Sequence, residues 1–74
     1  MQQKIESTEQ LVKTLIKRRK DLGISQSELA KLCNLSVNRI SKLESNEGER
    51  EVKLSTLFKL SQVLGVKIVL EFEE

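Results

Sequence analysis

Start and stop signals for helices recur along this 74-residue chain at intervals that leave room only for short helices joined by tight turns. Ser7-Thr8-Glu9-Gln10 reads as a capping box, in which the Ser7 hydroxyl accepts from the Gln10 N–H and the Gln10 side chain reaches back. Leu11, Val12, Leu15, Ile16 and Leu22 follow at helical spacing. Lys13, Lys17, Arg18 and Lys20 take the other face, and Gly23 stops the helix. Ser25-Gln26-Ser27-Glu28 is a second capping box and opens a helix from about Gln26 to Cys33 that presents Leu29, Ala30, Leu32 and Cys33. Asn34 ends it, since Asn tolerates the left-handed conformation better than any residue but Gly. Ser36 caps a third helix, Val37 to about Ser45. Ile40 and Leu43 point inward there, Val37 stands at the margin, and Asn38, Arg39, Ser41 and Lys42 face out. Residues 46–51 read as a polar loop with Gly48 at a turn, and a fourth helix, about Leu54 to Leu64, presents Leu54, Leu57, Phe58, Leu60 and Leu64 before Gly65.

After Gly65 the period changes from helical to two. Val66, Ile68, Leu70 and Phe72 alternate with Lys67, Val69 and Glu71, with β-branched enrichment, so the segment reads as a strand. A lone strand leaves its N–H and C=O groups unpaired. Either residues 2–6 pair with it or a second copy does; Gln2–Glu6 alternates poorly, which favours pairing across a two-fold axis, and a frayed apolar tail is the bland alternative. Composition bears on the choice. The 28 apolar residues make one small core and not two, and a domain this short buries only roughly 60% of its unfolded surface. Such a core wants a supplement. One Cys rules out an internal disulfide, and one Cys with no His leaves almost nothing for a structural zinc site, so a partner chain remains.

The same counts exclude whole classes of function. Without His, neither His-based acid–base chemistry nor Ser-His-Asp and Cys-His pairs exist, so no catalytic residue, cofactor or metal is expected. No window approaches 18 apolar residues, and the N-terminus has no apolar h-region, which makes a cytoplasmic location the expectation. Zero Pro and three Gly favour helices. The net charge of +2 is unevenly placed: residues 1–42 carry nine cations against four anions, a formal +5, and residues 43–74 carry four against seven, a formal −3. The basic part suits a polyanion, and the remainder is left to face something else.

From Gln26 to Ser45 the features interlock. Ala30 is small where two helices cross closely, Asn34 sits where the turn needs positive φ, and Leu29, Leu35, Ile40 and Leu43 pin both helices to one core. These are the demands of a helix-turn-helix. The run Gly23-Ile24-Ser25-Gln26-Ser27-Glu28-Leu29-Ala30, then Asn34-Leu35-Ser36, then Arg39-Ile40-Ser41-Lys42-Leu43-Glu44, resembles the Cro/C1-type (Xre) helix-turn-helix family. Thr56-Leu57-Phe58-Lys59-Leu60 and Val63-Leu64-Gly65-Val66 continue the pattern, so the likeness covers about residues 8–66. Asn34 replaces the family's usual Gly, and the charged stretch 46–53 lacks its usual Pro. The implied fold is all-α, a lambda-repressor-like domain of four helices over 7–65, with 66–72 as a dimerisation strand.

Gln3-Lys4-Ile5, Ser7, Gln10-Leu11, Gln26 to Lys31, Glu44, Asn46 and the closing strand are similar, more narrowly, to HipB-type antitoxins. That resemblance implies a homodimer joined by a shared C-terminal sheet, a HipA-type kinase toxin as partner, and repression of the chain's own operon. A phage or stand-alone Xre regulator without a toxin is the alternative.

In a helix-turn-helix the third helix enters the major groove of double-stranded DNA. There Asn38 can pair with adenine, Lys42 can donate to guanine, and Val37 can meet a thymine methyl, with Ser41 on the same face. The resemblance implies that Gln26 reaches a phosphate or base and that Ser36, Arg39 and Ser27 contact phosphates; Lys17 is a further phosphate candidate. It also implies that Arg19, in register with Leu11, Leu15 and Leu22, pairs inside the domain with Glu44. Cys33 reads as a small core residue.

Overall fold

The computed structural model describes residues 2–45 and 52–73. The expected loop at 46–51, with its turn at Gly48, lies outside the described residues. Four helices are present, α1 (Thr8–Asp21), α2 (Gln26–Leu32), α3 (Val37–Glu44) and α4 (Leu54–Leu64).

Serine hydroxyls set three of the four helix starts. Ser7 accepts from the Gln10 N–H at 3.1 Å, Ser25 from Glu28 at 3.0 Å and Ser36 from Arg39 at 3.1 Å, each closing one of the first-turn donors that have no intrahelical partner. At α2 the box is complete, because Glu28 returns to the Ser25 N–H. At α1 it is not: the Gln10 side chain reaches past Ser7 to the Glu6 N–H at 2.7 Å. α4 starts from Lys53 with no side-chain cap.

The turns at Gly23 and Asn34 share one geometry. Ile24 N–H bonds Arg19 O and Gly23 N–H bonds Lys20 O; Leu35 N–H bonds Ala30 O and Asn34 N–H bonds Lys31 O. Both pairs are Schellman closures with the central residue left-handed, at φ +72° for Gly23 and +55° for Asn34. Asn34 therefore does the work usually given to glycine. Cys33 serves as the C-cap of α2, and Ser45 as that of α3, one residue short of the expected ends.

α2 packs on α3, α1 lies against α3 and α4, and α2 also touches α4. Val12 and Leu15 from α1, Leu29, Ala30 and Cys33 from α2, Ile40 from α3, and Leu60 and Leu64 from α4 are buried. The expected core is corrected at four places, since Leu22, Leu32, Leu54 and Phe58 are exposed. Leu22 and Leu54 sit at helix ends, beyond the packed turns. On α4 the buried stripe runs Leu57, Leu60, Ser61, Leu64, and Phe58 lies about 100° round from Leu57. Ser61 can enter this stripe because its hydroxyl donates to Leu57 O at 2.8 Å.

Residues 66–73 form no strand in the single chain, because a strand needs a ladder partner and none is in place. Residues 2–6 do not supply one. Gln3 donates to Thr14 and Glu6 to Gln10, which holds that segment along α1 instead.

Candidate nucleic-acid interface

Ile40, only 1% exposed, fixes α3 by its inner side, and Leu43 packs partly buried beside it. The opposite side is left open. Val37, Asn38, Ser41 and Lys42 fall at i, i+1, i+4 and i+5, which places them on one face, and all four are exposed. Val37, marginal by sequence, is 46% exposed and belongs to this outer face. Arg39 is exposed next to it. The Ser36 hydroxyl already accepts from the Arg39 N–H, but its own hydrogen remains able to donate.

Beneath this face lies a buried polar knot joining three elements. Arg19 of α1 meets Glu44 of α3 through two parallel bonds, Nε to Oε2 at 2.7 Å and Nη2 to Oε1 at 2.9 Å, with the two side chains 9% and 11% exposed. Arg19 Nη1 donates to Ile24 O at 2.7 Å, in the turn before α2. Gln26, the first residue of α2, donates from Nε2 to Glu44 Oε1 at 2.9 Å. A carboxylate clasped by a guanidinium fork and an amide is a charge-assisted arrangement of fixed geometry. It ties the end of α3 to the start of α2, and no buried side-chain polar atom is left unsatisfied among the described residues. The bond to Glu44 uses one of the two Nε2 hydrogens of Gln26, so the amide is held in place with one donor not used by that bond.

Lys17 and Arg18, neighbours on α1, do different things. Lys17 is exposed and pairs with Asp21 at 2.7 Å, an i,i+4 bridge of little strength in water. Arg18 is not a freely solvated cation as its helix face suggests: its Nε donates to Leu64 O at 2.8 Å, closing the C-terminal end of α4. That contact spans 46 residues of sequence, and no local pattern signals it. Ser27 is exposed on the first turn of α2.

Cys33 is buried, and burial raises its thiol above the ordinary value, partly opposed by the Lys59 ammonium. It is a protonated core residue at neutral pH. No group of His, Cys, Asp or Glu able to hold a metal ion occurs among the described residues, and no helix there is long and apolar enough to cross a membrane.

A family model described as Helix-turn-helix matches residues 15–70, three-quarters of the chain. The chain belongs to the Cro/C1-type (Xre) helix-turn-helix family. Among solved structures, this helix-turn-helix domain is similar to a chain of the HipA-HipB-O2-O3 complex, at 34% identity and a TM-score of 0.82 over 99% of its length and 100% of that chain. The HipB-O4 20mer complex gives the same identity, score and coverage. A HipB-O2 20mer complex matches at 32% identity and 0.83 over the whole of both chains. No curated protein sequence matches. The helix-turn-helix unit is thus α2, the Asn34 turn and α3, and its HipB likeness runs through the tail as well as the helices.

Proposed function

We propose that the protein is a sequence-specific DNA-binding repressor that acts as a homodimer, of HipB-antitoxin type, controlling its own operon and binding a HipA-type toxin. The observation that carries the DNA reading is the outer face of α3, where Val37, Asn38, Ser41 and Lys42 stand exposed on a helix locked from behind by Ile40 and the Glu44 knot. A reading head must present base-contacting side chains without letting the helix rock, and this arrangement supplies both.

On DNA, α3 lies in the major groove. Asn38 pairs with an adenine edge, Lys42 donates to guanine O6 or N7, and Val37 meets a thymine methyl. Ser27, Ser36, Arg39 and the free donor of Gln26 take phosphates, which fix position but carry no sequence information. Lys17 exchanges its weak Asp21 bridge for a phosphate. Two copies joined through Val66, Ile68, Leu70 and Phe72 present two α3 helices to half-sites about 34 Å apart on a palindromic operator. The exposed apolar tail and the likeness to HipB support the dimer. The likeness to a chain of the HipA-HipB-O2-O3 complex supports the toxin partner.

A gel shift with fragments of the chain's own upstream region tests the DNA reading. A site-specific band that weakens steeply with salt is expected; a folded dimer giving no such band at low salt refutes it. Asn38→Ala should cost about 1–3 kcal/mol and relax the preference at one base pair, whereas Lys17→Ala should weaken all sequences alike. The toxin partner is tested by a pull-down from the native host. Recovery of a HipA-like protein encoded in the adjacent reading frame is expected, and its absence leaves the stand-alone Xre regulator.

A further inference from the structure

From Lys67 to Glu73 no backbone N–H or C=O makes a hydrogen bond among the described residues, so the tail offers a whole unpaired ladder. Its even face carries Val66, Ile68, Leu70 and Phe72. Exposure rises along it, from Val66 packed on the core, through Ile68 at 45%, to Leu70 at 77% and Phe72 at 85%. Its odd face carries Lys67, Val69, Glu71 and Glu73.

Two such strands related by a two-fold axis normal to the sheet run antiparallel, with directly opposed residues on the same face. A one-residue slip sets apolar against polar along the whole strand, so the axis must pass through a residue and not between two. Centred on Ile68, the pairing sets Lys67 against Val69 and Glu71 against Gly65. Centred on Leu70, it sets Lys67 against Glu73, but it also sets Val69 against Glu71 and Val66 against Glu74, so an apolar side chain faces a carboxylate at four places. Centred on Val69, it sets Lys67 against Glu71 twice over, Ile68 against Leu70, Val66 against Phe72 and Val69 against itself. Parallel in-register pairing would put Lys67 beside Lys67 and Glu71 beside Glu71, which is repulsive.

We propose that the tail is a self-complementary strand that pairs antiparallel with a second copy about an axis at Val69, its register set by Lys67 of each copy facing Glu71 of the other. The inference rests on the dimeric reading above and adds to it the register and the charges that select it. In this register Phe72, the most exposed apolar side chain of the tail, falls opposite the partner's Val66, which lies on the partner's core. Each copy therefore covers the edge of the other's core, and a tail without the Lys67–Glu71 complement is rejected as a partner.

Two single variants and their mixture test it. Lys67→Glu and Glu71→Lys each bring like charges face to face at two places, and each alone should dimerise at least roughly tenfold more weakly than wild type by sedimentation at low salt. Mixed together, the two should recover near wild-type affinity as a heterodimer, because both facing pairs become opposite in charge again. Cysteine cross-linking reads the axis directly. Val69→Cys should form a disulfide with its own copy, since opposed Cα atoms lie about 4.5–5.5 Å apart. Ile68→Cys and Leu70→Cys should each fail alone, their self-pairs lying about 8 Å apart, yet cross-link when mixed. Native Cys33 is buried and stays silent. A wild-type chain that is monomeric at tens of micromolar overturns the dimer and the register together. A dimer in which Ile68→Cys or Leu70→Cys cross-links with itself, or in which the mixed charge variants gain nothing, leaves the dimer standing and overturns the register.

Discussion

Replacing Glu44 by Ala removes the anion that three groups share. Arg19 then keeps only its bond to Ile24 O, while its Nε and Nη2 remain in a site where the side chain is 9% exposed. Gln26 Nε2 loses its acceptor as well. Breaking one partner out of a buried pair costs about 3–5 kcal/mol, because a charge is left without a counter-charge in a place water scarcely reaches. A domain of this size has a total stability of about 4–11 kcal/mol. Glu44→Ala should therefore lower the melting temperature by about 12 °C or more, at roughly 4–8 °C per kcal/mol. The assay is urea and thermal unfolding followed by far-UV circular dichroism, at one fixed protein concentration so that dimerisation does not move the midpoint. The double variant Arg19→Met/Glu44→Leu removes both charges and fills the space. It should recover most of the loss, since apolar residues of similar volume often match or exceed a buried ion pair. The reasoning fails if Glu44→Ala costs under about 1 kcal/mol, or if the double variant is no more stable than the single one.

Other perturbations have equally definite outcomes. Asn34→Ala should cost about 1 kcal/mol in urea denaturation and Asn34→Gly nothing or a slight gain, because φ is +55° there. Ile40→Ala should cost about 2–5 kcal/mol by the same measurement, since the side chain is fully buried and holds α3 to the body. The Cys33 thiol should resist a thiol reagent at pH 8 and react promptly in urea. With its folded pKa raised, its contribution to stability is full below the ordinary thiol value and is lost as pH rises through the folded one, so urea midpoints should fall in that window. Arg18→Met should destabilise the C-terminal end of α4 by about 1–3 kcal/mol, read as faster amide exchange at Val66 and Gly65.

The helices were legible because their boundaries are written in neighbouring residues. A serine three positions before its backbone donor and an Asn or Gly in a left-handed turn are local devices, and both Schellman closures formed where Gly23 and Asn34 stand. Facing within a helix was less legible. Phe58 fits an apolar pattern but lies off the stripe, and Ser61 lies on it by satisfying its own hydroxyl, which no apolar template rewards. Long-range polar contacts were the least legible. Arg19 and Glu44 are 25 residues apart and came only through family likeness, and nothing in the sequence distinguishes Arg18, which reaches Leu64, from Lys17, which reaches its own helix. The period of the tail is plain in the sequence, but residues 66–73 form no strand in the single chain, and the proposed pairing needs a second one.

Arg18 holds Leu64 O, and the next residue, Gly65, turns the backbone left-handed at φ +66°, where an added Cβ would stand 3.3 Å from Arg18 Nη2. The helix end gripped from α1 and the left-handed joint at Gly65 together set the direction in which the chain leaves α4. In the proposed dimer, joined through that tail, the joint would work as the elbow of a pair of calipers. Under the proposed function, the opening between the two α3 helices, and hence the half-site spacing they accept, would be set at Gly65, away from the residues proposed to touch DNA. A substitution there should change which spacing of half-sites is bound best while leaving the preferred bases within each half-site as they were.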